Sequence, residues 1–411
     1  MDSTIASVVI DNGAATTKAG VSSDEIPSLV FPTSYSQNAN TQEVVVGDEI
    51  HAHPANDVYT LMKHGMIYNW DNIIYNWEHV YASLQLVPQE SPLVMTENVW
   101  NTAANKAKTC ELAFENLQVP IFSLVKSPLC VTYGMGKATG LVIDIGSSVA
   151  SVTPILDGAI LAKGLKHSRF AGDFLDLHVM NYLTTTHGLK LDSLLPARFA
   201  NVAVSQSFKT YQIGSVLDDF KSSITALSNF PLSLLQQYQT GLKHYQLPDG
   251  KVLPCGPEQL HLAEPLFQPI SYALPPPYTI APSAAGGPQQ QTGGLMELVL
   301  ASLKSLEANG DVYGQLLSNI IITGGGSLLQ GLETRLLNDL NRFLPNFNIS
   351  YYSSSGINSV ERKFGSWVGA SCLSSIGDDG LVSGFDSGEG LFVSKQDYEE
   401  FGVDSVVQRF S

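Results

Sequence analysis

The chain contains the same strand-and-turn pattern twice, and this repetition constrains its fold more than any other feature. The first copy, VVIDNGAATTKAG, runs from Val8 to Gly20, and the second, LVIDIGSSVASVT, runs from Leu141 to Thr153. Each copy is a short apolar run that ends in an aspartate, with a glycine two residues later and small polar residues after it. Such a run predicts a buried strand that leads into a tight turn. The two copies indicate that the chain folds as two related halves.

The composition argues against several classes of function. At 411 residues the chain is long enough for two or more domains. Its formal net charge is −16 and it has no cluster of Lys and Arg, whereas nucleic-acid-binding proteins usually carry a basic stripe. We therefore expect no direct, sequence-specific binding of nucleic acid. The N-terminus MDSTIASVVI does not resemble a signal peptide, and no apolar run reaches membrane-spanning length, so we expect no membrane partner.

The spacing of cysteine and histidine indicates neither a disulfide framework nor a metal site. The cysteines are Cys110, Cys130, Cys255 and Cys372, far apart and without a C-x-x-C pair. We predict reduced thiols in the core, which suits the cytosol or the nucleus. His51 and His53 are close in sequence, but no further ligand lies near them. A solvated loop is a better interpretation of this pair than a metal site.

Strand and helix patterns alternate along the chain, which favours an α/β fold. Strands are predicted at Ser7–Ile10, Leu141–Ile143 and Asn319–Thr323, and helices at Trp70–Ser83, Asn105–Leu117 and Leu328–Phe343. In the last helix the predicted core face comprises Leu328, Leu332, Leu336 and Phe343, with Glu333, Arg335 and Asn338 between them.

Two segments interrupt this alternation. Ser271–Gly294 is rich in Pro, Gly and Gln and is predicted to be an exposed, flexible insertion. Ile376–Gly390 is Gly-rich and acidic and is predicted to be a solvent loop. Patterned sequence resumes on both sides of each segment, so neither is predicted to be a linker between independent domains.

The repeated turns have the residue types of a phosphate clamp. Glycine after a strand allows the backbone to approach an anion closely, and successive N–H groups can then bind phosphate oxygens. The aspartate at the strand end can hold the hydrated Mg²⁺ that accompanies a nucleotide. In the first copy, alternation places Thr16 and Lys18 on one face, so the ammonium can reach back over the turn. Taken alone, each Asp-x-Gly is as well explained by a plain turn, and neither copy is a P-loop or a dinucleotide motif.

A third element follows in NIIITGGGSLLQGLETRL, which is an apolar strand, three glycines and a helix. Three consecutive glycines allow a flat group such as a purine or ribose to lie against bare backbone. Two phosphate turns followed by a glycine-rich turn before a helix form the layout of the actin-type ATPase fold.

The chain resembles actin and the actin-related proteins over nearly its whole length. DNGAATTKAG and DIGSSVASVTPILDG resemble the two phosphate hairpins, and HGMIYNWDN, YQLPDGKVL, EPLFQP, ERKFGSWVGAS and LFVSKQDYEEFG resemble further actin signatures in the right order. The resemblance implies two RNase H-like α/β lobes around a nucleotide cleft. It predicts a first lobe at 1–134 with a small insert at 32–60, a second lobe at 135–364 with an insert at 171–263 and a loop at 271–294, and a segment at 365–411 that returns to the first lobe.

The resemblance also implies a set of nucleotide or Mg²⁺ contacts. These are Asp11, Gly13, Lys18, Asp144, Gly146, Gly172, Lys221, Gly324, Gly325 and Lys363. No residue of this chain is predicted to be catalytic, and no resident protein metal site is predicted. ATP with Mg²⁺ is the implied cofactor, bound weakly at most.

Several positions depart from the actin pattern. Ser147 and Ser148 stand where actin has Asp and Gly, and Ser222 stands where actin has Glu near the adenosine. Ser127 and Ser151 stand where actin has the Gln and His that resemble a water-positioning pair. Serine is too short to align a water across the same gap, and positioning is most of phosphoryl-transfer catalysis. We therefore expect no ATP hydrolysis, and we interpret the second hairpin as the degraded copy.

Further resemblances indicate which subclass of actin-related protein the chain belongs to and which partners it binds. The small insert is shorter than in actin, and the Pro-rich segment replaces the hydrophobic loop, so we expect a non-polymerising protein. VYTLMKHGMIYNWDNIIYNWEHVY and SRFAGDFLDLHV look closest to the fungal actin-related protein seven class of SWI/SNF and RSC chromatin remodellers. This implies a nuclear protein that pairs with a class-nine actin-related protein on the HSA helix of the remodeller motor. The alternative is an actin-type ATPase or a subunit of a cytoskeletal, dynactin-like complex.

The resemblance places the partner helix in the cleft at the end opposite the nucleotide. The matching residues are Tyr133, Gly136, Ala138, Ala159 and Leu373. They are small or apolar, as helix-in-groove packing requires. The alternative interpretation is that these residues complete the cores of the lobes.

Overall fold

A computed structural model describes residues 6–22, 24–199, 201–237, 240–272, 293–307, 310–352, 359–375 and 391–410. The predicted loop at Ile376–Gly390 lies outside these residues, as does nearly all of the predicted insertion at Ser271–Gly294. No helix in the described ranges combines the length and the apolar character that crossing a membrane needs.

The strands of the described residues form two large sheets and three small ones. In chain order they are β1 Val8–Asn12, β2 Thr16–Val21, β3 Leu29–Pro32, β4 Tyr35–Gln37, β5 Val44–Val46, β6 Asp57–Tyr59, β7 Met62–Lys63, β8 Met66–Ile67, β9 Leu93–Glu97, β10 Ile121–Lys126, β11 Gly140–Ile145, β12 Ala150–Leu156, β13 Ala159–Ile160, β14 Lys166–Ser168, β15 Lys243–Gln246, β16 Val252–Cys255, β17 Ile320–Thr323, β18 Tyr351–Tyr352 and β19 Val393–Ser394. The small sheets are β5-β4-β6, β7-β8 and β15-β16.

The helices cover the sheets and connect their parallel strands. They are α1 Ile73–Leu84, α2 Ala103–Glu111, α3 Ser127–Gly134, α4 Gly172–Asn181, α5 Gln206–Ile224, α6 Glu258–Ala263, α7 Leu295–Leu306, α8 Gly310–Leu317, α9 Leu332–Phe343, α10 Ser359–Ser375 and α11 Lys395–Arg409. Short π-helical turns extend α2 and α4.

The two large sheets share the same central arrangement of strands, while β19 at the edge of the first sheet has no counterpart in the second. The first has the order β19-β10-β9-β1-β2-β3, and the second has the order β18-β17-β11-β12-β13 with β14 also beside β12. In each sheet an antiparallel hairpin, β1-β2 or β11-β12, lies next to a parallel strand, β9 or β17. The mixed α/β architecture is that of the actin-type fold, and the sequence repeat occupies the equivalent hairpin of each half. We call these halves the first and second lobes.

Each lobe has its own apolar core, and one pair of helices joins the lobes. The first core contains Trp77 and Phe122, and the second contains Phe174 and Leu336. Helix α10 packs along α3, where a Cβ on Gly134 would lie 3.0 Å from the Cα of Gly369. The two helix backbones therefore touch directly. At the chain's end, β19 pairs with β10 and returns to the first lobe.

The helix predicted at Leu328–Phe343 begins four residues later than expected. Gly331 has φ +85°, and the residues before it form a separate 3₁₀ turn. Leu328 and Phe343 are consequently exposed rather than part of the core, whereas Leu332 and Leu336 are buried as predicted.

Arg335 in the same helix differs more strongly from the prediction. It was predicted to lie between the core positions, yet its side chain is 1% exposed. Its guanidinium donates two hydrogen bonds to Glu264 at 2.7 and 2.8 Å and a third to Asp339 at 2.8 Å. These bonds and the ring of Phe267, 4.6 Å away, compensate for the lost hydration.

Candidate functional site

The two repeated turns have the same backbone geometry. The N–H of Gly13 donates to the carbonyl of Thr16 at 3.1 Å, and the N–H of Gly146 donates to that of Val149 at 2.9 Å. Each of these hydrogen bonds closes a turn whose two following N–H groups have no acceptor within the described residues. These are the N–H groups of Ala14 and Ala15 in the first turn and of Ser147 and Ser148 in the second. The lobes thus present two short runs of free amides to the space between them, which is the chemistry of an anion site.

The aspartates of the two copies differ in their partners. Asp11 is opposite Lys18 across the hairpin, with Nζ and Oδ2 3.1 Å apart, and Thr96 donates to its Oδ1 at 2.5 Å. Asp144 is opposite Ser151, and its carboxylate has no hydrogen bond or ion pair among the described residues.

The pKa of the Asp144 carboxyl reflects its buried position without such a partner. The pKa of the Asp144 carboxyl is raised to about 6, mainly by burial and also by the charge of Asp11, while Lys18 opposes the shift. The two copies are therefore unequal. The Asp11 carboxylate forms an ion pair with Lys18, whereas the Asp144 carboxylate has no ion-pair partner among the described residues.

The glycine-rich turn lies directly against the second aspartate. Gly324 has φ +88°, and a Cβ there would collide with Oδ1 of Asp144 and with the carbonyl of Ile145. A Cβ on Gly326 would lie 2.6 Å from a side-chain carbon of Ile145. Since β11 and β17 are parallel neighbours, their carboxyl ends bring this turn and the second hairpin to one edge of the sheet.

Two carboxylates hold the ammonium of Lys221 at the wall of the space between the lobes. Its Nζ lies 2.8 Å from Asp176 and 2.8 Å from Asp218, and it also donates to the carbonyl of Gly172 at 3.3 Å. Burial alone would lower the pKa of Lys221, but the two carboxylates raise it. The ammonium is therefore charged and fixed in place.

All ten residues predicted to contact nucleotide line one cavity of about 520 Å³ between the lobes. The same cavity is lined by the five serines that depart from the actin pattern, Ser127, Ser147, Ser148, Ser151 and Ser222. The structure thus brings every predicted cofactor residue together, and their role in binding stays a prediction. A volume of this size suits a ligand of nucleotide dimensions.

The donor set fits Mg²⁺ held together with phosphate. Asp144 is an unpartnered carboxylate that faces Asp11 across the cavity, and Mg²⁺ is usually bound by one or two carboxylates plus phosphate oxygens and water. The described residues contain no group of three or more His, Cys, Asp or Glu that could hold a metal alone. A cation here would depend on the nucleotide.

Some side chains of the site were not found by sequence reasoning. Thr96 orients Asp11, and Thr33 donates to the carbonyl of Gly13 at 2.8 Å. Asp173 was also missed; it accepts a 2.7 Å hydrogen bond from Ser147, which attaches the second hairpin to the start of α4. Thr96 is the penultimate residue of β9, which is parallel to β1, and that position is the signal that could have identified it.

The residues predicted to bind a partner helix lie at the surface beside α3. Tyr133 is 40% exposed, Gly136, Ala138 and Ala159 are exposed, and Leu373 is half-buried on α10. The carbonyl of Ala138 accepts the N–H of Gly158 at 2.7 Å, and the hydroxyl of Tyr133 contacts the same glycine. Four of the five therefore do not complete a lobe core, and their role in binding stays a prediction.

Two predictions about isolated residues need correction. His51 is not in a solvated loop, because it lies in a 3₁₀ turn and shares a 2.7 Å hydrogen bond with Gln212 of α5. Burial lowers the pKa of His51. Cys110, Cys130 and Cys255 are buried free thiols as predicted, but Cys372 is exposed because it lies on the outer side of α10.

Replacing Asp144 with asparagine should stabilise the ligand-free protein near neutral pH. The folded-state pKa of about 6 exceeds the ordinary value of 3.8, so ionisation opposes folding above pH 6. The substitution should add about 1 to 3 kcal/mol at pH 7.5, since one pKa unit is about 1.4 kcal/mol. The gain should decline as pH falls through 6 and disappear below about 4.

Urea unfolding of both proteins between pH 4 and 8 measures this effect, and replacement of the exposed Asp404 on α11 by asparagine is a surface control. The same variant should lose Mg²⁺-dependent nucleotide binding in calorimetry, because the carboxylate that the fold keeps unpaired is gone. A gain in stability that is the same at every pH would contradict the assignment.

Comparison with known proteins gives one family. The family model described as Actin matches residues 2–411. "Actin-related protein 4" of Yarrowia lipolytica is 32% identical over 98% of this chain and 96% of its own length. "SWI/SNF and RSC complexes subunit arp42" of Schizosaccharomyces pombe is 30% identical over 98% of both chains, and "Actin-related protein 7" of Saccharomyces cerevisiae is 29% identical over 95% of both. The chain is thus similar to class four as well as class seven, at nearly equal identity.

Proposed function

Since the chain belongs to the actin family, we propose that it is a non-catalytic subunit of a SWI/SNF or RSC type chromatin-remodelling complex in the nucleus. The name of the arp42 relative, aligned over 98% of both chains, supports this assignment. The proposed partners are the HSA helix of the remodeller motor and a second actin-related protein of the class-nine type.

The observation that carries this proposal is the exposed surface formed by Tyr133, Gly136, Ala138 and Ala159 at the end of α3. Small and apolar residues there leave room for the side chains of an amphipathic helix. The surface adjoins the contact between α3 and α10, so a helix bound there would touch the elements that join the lobes.

Nucleotide is proposed to be a bound cofactor rather than a substrate. The free amides of the two hairpins, Lys221 and the Asp144 carboxylate support binding. Ser127 and Ser151 in the same cavity carry only short hydroxyls, which supports the absence of turnover. Single-turnover assays with purified protein should give no hydrolysis above a buffer control. Robust hydrolysis would favour the alternative, a working actin-type ATPase.

The partner surface is tested by introducing charge without disturbing a core. Ala138→Arg and Ala159→Arg, at exposed positions, should leave folding unchanged and prevent co-purification with the remodeller motor. Burying an apolar anchor is worth about 1.5 to 3 kcal/mol, so a charge in its place should lower recovery of the complex more than tenfold. Ala82→Arg, an exposed alanine on α1, is the matched control. Leu373→Asp, on α10, is a second test that requires a check of folding by circular dichroism, because Leu373 is half-buried against the core cluster that contains Trp367.

Cys372 provides a direct probe of occupancy. It is the exposed cysteine beside Leu373, while the other three thiols are buried. A synthetic HSA helix should protect Cys372 from alkylation in the wild-type protein and not in Ala138→Arg. Complexes that assemble at wild-type levels with both arginine variants would overturn the proposed interface. Recovery of dynactin-like subunits instead of a remodeller would favour the cytoskeletal alternative.

A further inference from the structure

Basic residues from both lobes meet beside the cleft, although they come from distant parts of the sequence. Lys63 ends β7 and His64 begins the turn after it, in the first lobe. His167 lies in β14 and Arg169 follows that strand, in the second lobe. We call these four residues the basic patch.

The ring of Trp100 connects the two sides of the basic patch. Its indole stacks on the imidazole of His167, with ring centroids 4.6 Å apart and planes 23° from parallel. The indole Nε1 also donates to the carbonyl of His64 at 3.4 Å. Both histidines therefore contact one aromatic residue, and the patch forms a single surface across the two lobes.

The charges that act on the basic patch are positive. The pKa of His64 is lowered, mainly by burial and also by the charges of Arg169 and Lys63. The pKa of His167 is lowered by burial and by His64. At His79, in contrast, two nearby carboxylates oppose the lowering of the pKa by burial. A positive potential is unusual for this chain, which has 38 acidic residues and 22 Lys and Arg.

Lys63 is not neutralised by a carboxylate. None of the ion pairs among the described residues includes its ammonium. Glu97, which precedes Trp100 in the same loop, is already paired with Lys126. The ammonium of Lys63 instead lies over the ring of Tyr68, 5.0 Å from the ring centroid, and Tyr68 is 62% exposed. The patch therefore offers a cation without a carboxylate partner next to an exposed aromatic surface.

The extent of the basic patch favours a short acidic peptide over duplex nucleic acid. A duplex carries one phosphate charge per about 1.7 Å of its axis, and it would extend from the patch over the surface of a chain whose net charge is −16. Charges further apart than about 8 Å are largely screened at physiological ionic strength. A short peptide would therefore interact with the patch alone, where its carboxylates meet cations and imidazole N–H groups.

We propose that the basic patch docks a short acidic segment of a partner protein. Carboxylates of Asp or Glu in that segment pair with Lys63 and accept hydrogen bonds from the imidazoles of His64 and His167. The apolar atoms of the segment pack on the exposed ring of Tyr68. This interaction goes beyond the function proposed above, and it requires neither nucleotide nor the helix surface beside α3.

The basic patch is separate from the surface proposed for the partner helix. Both surfaces adjoin β12, at different points along the strand. His167 lies opposite Ser151, near the start of β12, whereas Ala159 lies opposite its last residue, Leu156. These two points are about 17 Å apart along the strand, so one partner can bind at each surface.

Binding of a fluorescent poly-glutamate peptide to the purified protein tests this proposal. Fluorescence anisotropy should show binding that weakens as salt is raised, because exposed charges are screened. Lys63→Glu and His167→Glu should each weaken binding about tenfold, since each replaces an attraction with a repulsion. Lys63→Met keeps an apolar side chain over Tyr68 and should have a smaller effect. Lys251→Glu, at an exposed lysine between β15 and β16, is the matched control and should bind like the wild type.

The variants are expected to fold normally, because Lys63 and His167 are exposed, and circular dichroism checks this. A wild-type protein that does not bind poly-glutamate at low salt would overturn the proposal, as would equal losses in Lys63→Glu and Lys251→Glu. Duplex DNA that displaces the peptide at a lower concentration of charge would assign the patch to nucleic acid and would also overturn it. None of these outcomes changes remodeller assembly, which Ala138→Arg tests separately.

Discussion

Replacing Gly369 with alanine should destabilise the protein by about 3 kcal/mol, at the upper end of what overpacking costs. A Cβ at this position would collide with the carbonyl group of Cys130 on α3. That carbonyl is backbone, so neither helix can adapt by rotating a side chain. The helices must move apart, and since they join the lobes, cooperativity of unfolding should fall as well. Urea titration followed by circular dichroism measures both quantities.

Gly214→Ala is the matched control for this prediction. Gly214 lies inside α5, and a Cβ there would have nothing within 4 Å. Alanine should raise stability at this site by up to about 1 kcal/mol, through helix propensity alone. If Gly369→Ala behaved like Gly214→Ala, the direct contact between α3 and α10 would be disproved.

Arg335→Met should cost about 3 to 5 kcal/mol, because it leaves the carboxylate of Glu264 buried without its partner. Glu264 and Arg335 are each 1% exposed and share two hydrogen bonds. The loss should appear as a lower urea midpoint with an unchanged slope. Glu264→Gln should cost less, since the amide keeps one acceptor for the guanidinium.

Arg342→Met, on the same helix, controls for the change of residue type. Arg342 is exposed and contacts the ring of Phe343, so its replacement should change stability by less than about 0.5 kcal/mol. Apolar replacement of Arg335, Glu264 and Asp339 together should recover most of the loss, since no buried charge then remains. An Arg335→Met protein as stable as Arg342→Met would contradict the buried ion pair.

The sequence predicted best where contacts are local. Asp11, Gly13 and Lys18 lie in one hairpin, and strand alternation is enough to place the ammonium beside the carboxylate. The strands predicted near residues 7, 141 and 319 occur as β1, β11 and β17, with no end shifted by more than two residues. Helix ends were less accurate, as α9 shows: Gly331 before it has φ +85°, and a Cβ there would lie 2.5 Å from the carbonyl oxygen of Leu227, a residue distant in sequence.

The predicted nucleotide contacts followed from the resemblance to actin. By itself, therefore, the sequence determined the duplicated hairpins and the order of the phosphate and glycine-rich turns. These features depend on short-range patterning and on turn geometry that glycine and aspartate specify. Only the tertiary structure decided that Asp144 stays unpaired, that Arg335 is buried on Glu264 and that His51 meets Gln212 across the lobes. Such pairs join residues 71 to 161 positions apart, and periodicity along one element carries no information about the charge or shape that a distant element brings to it.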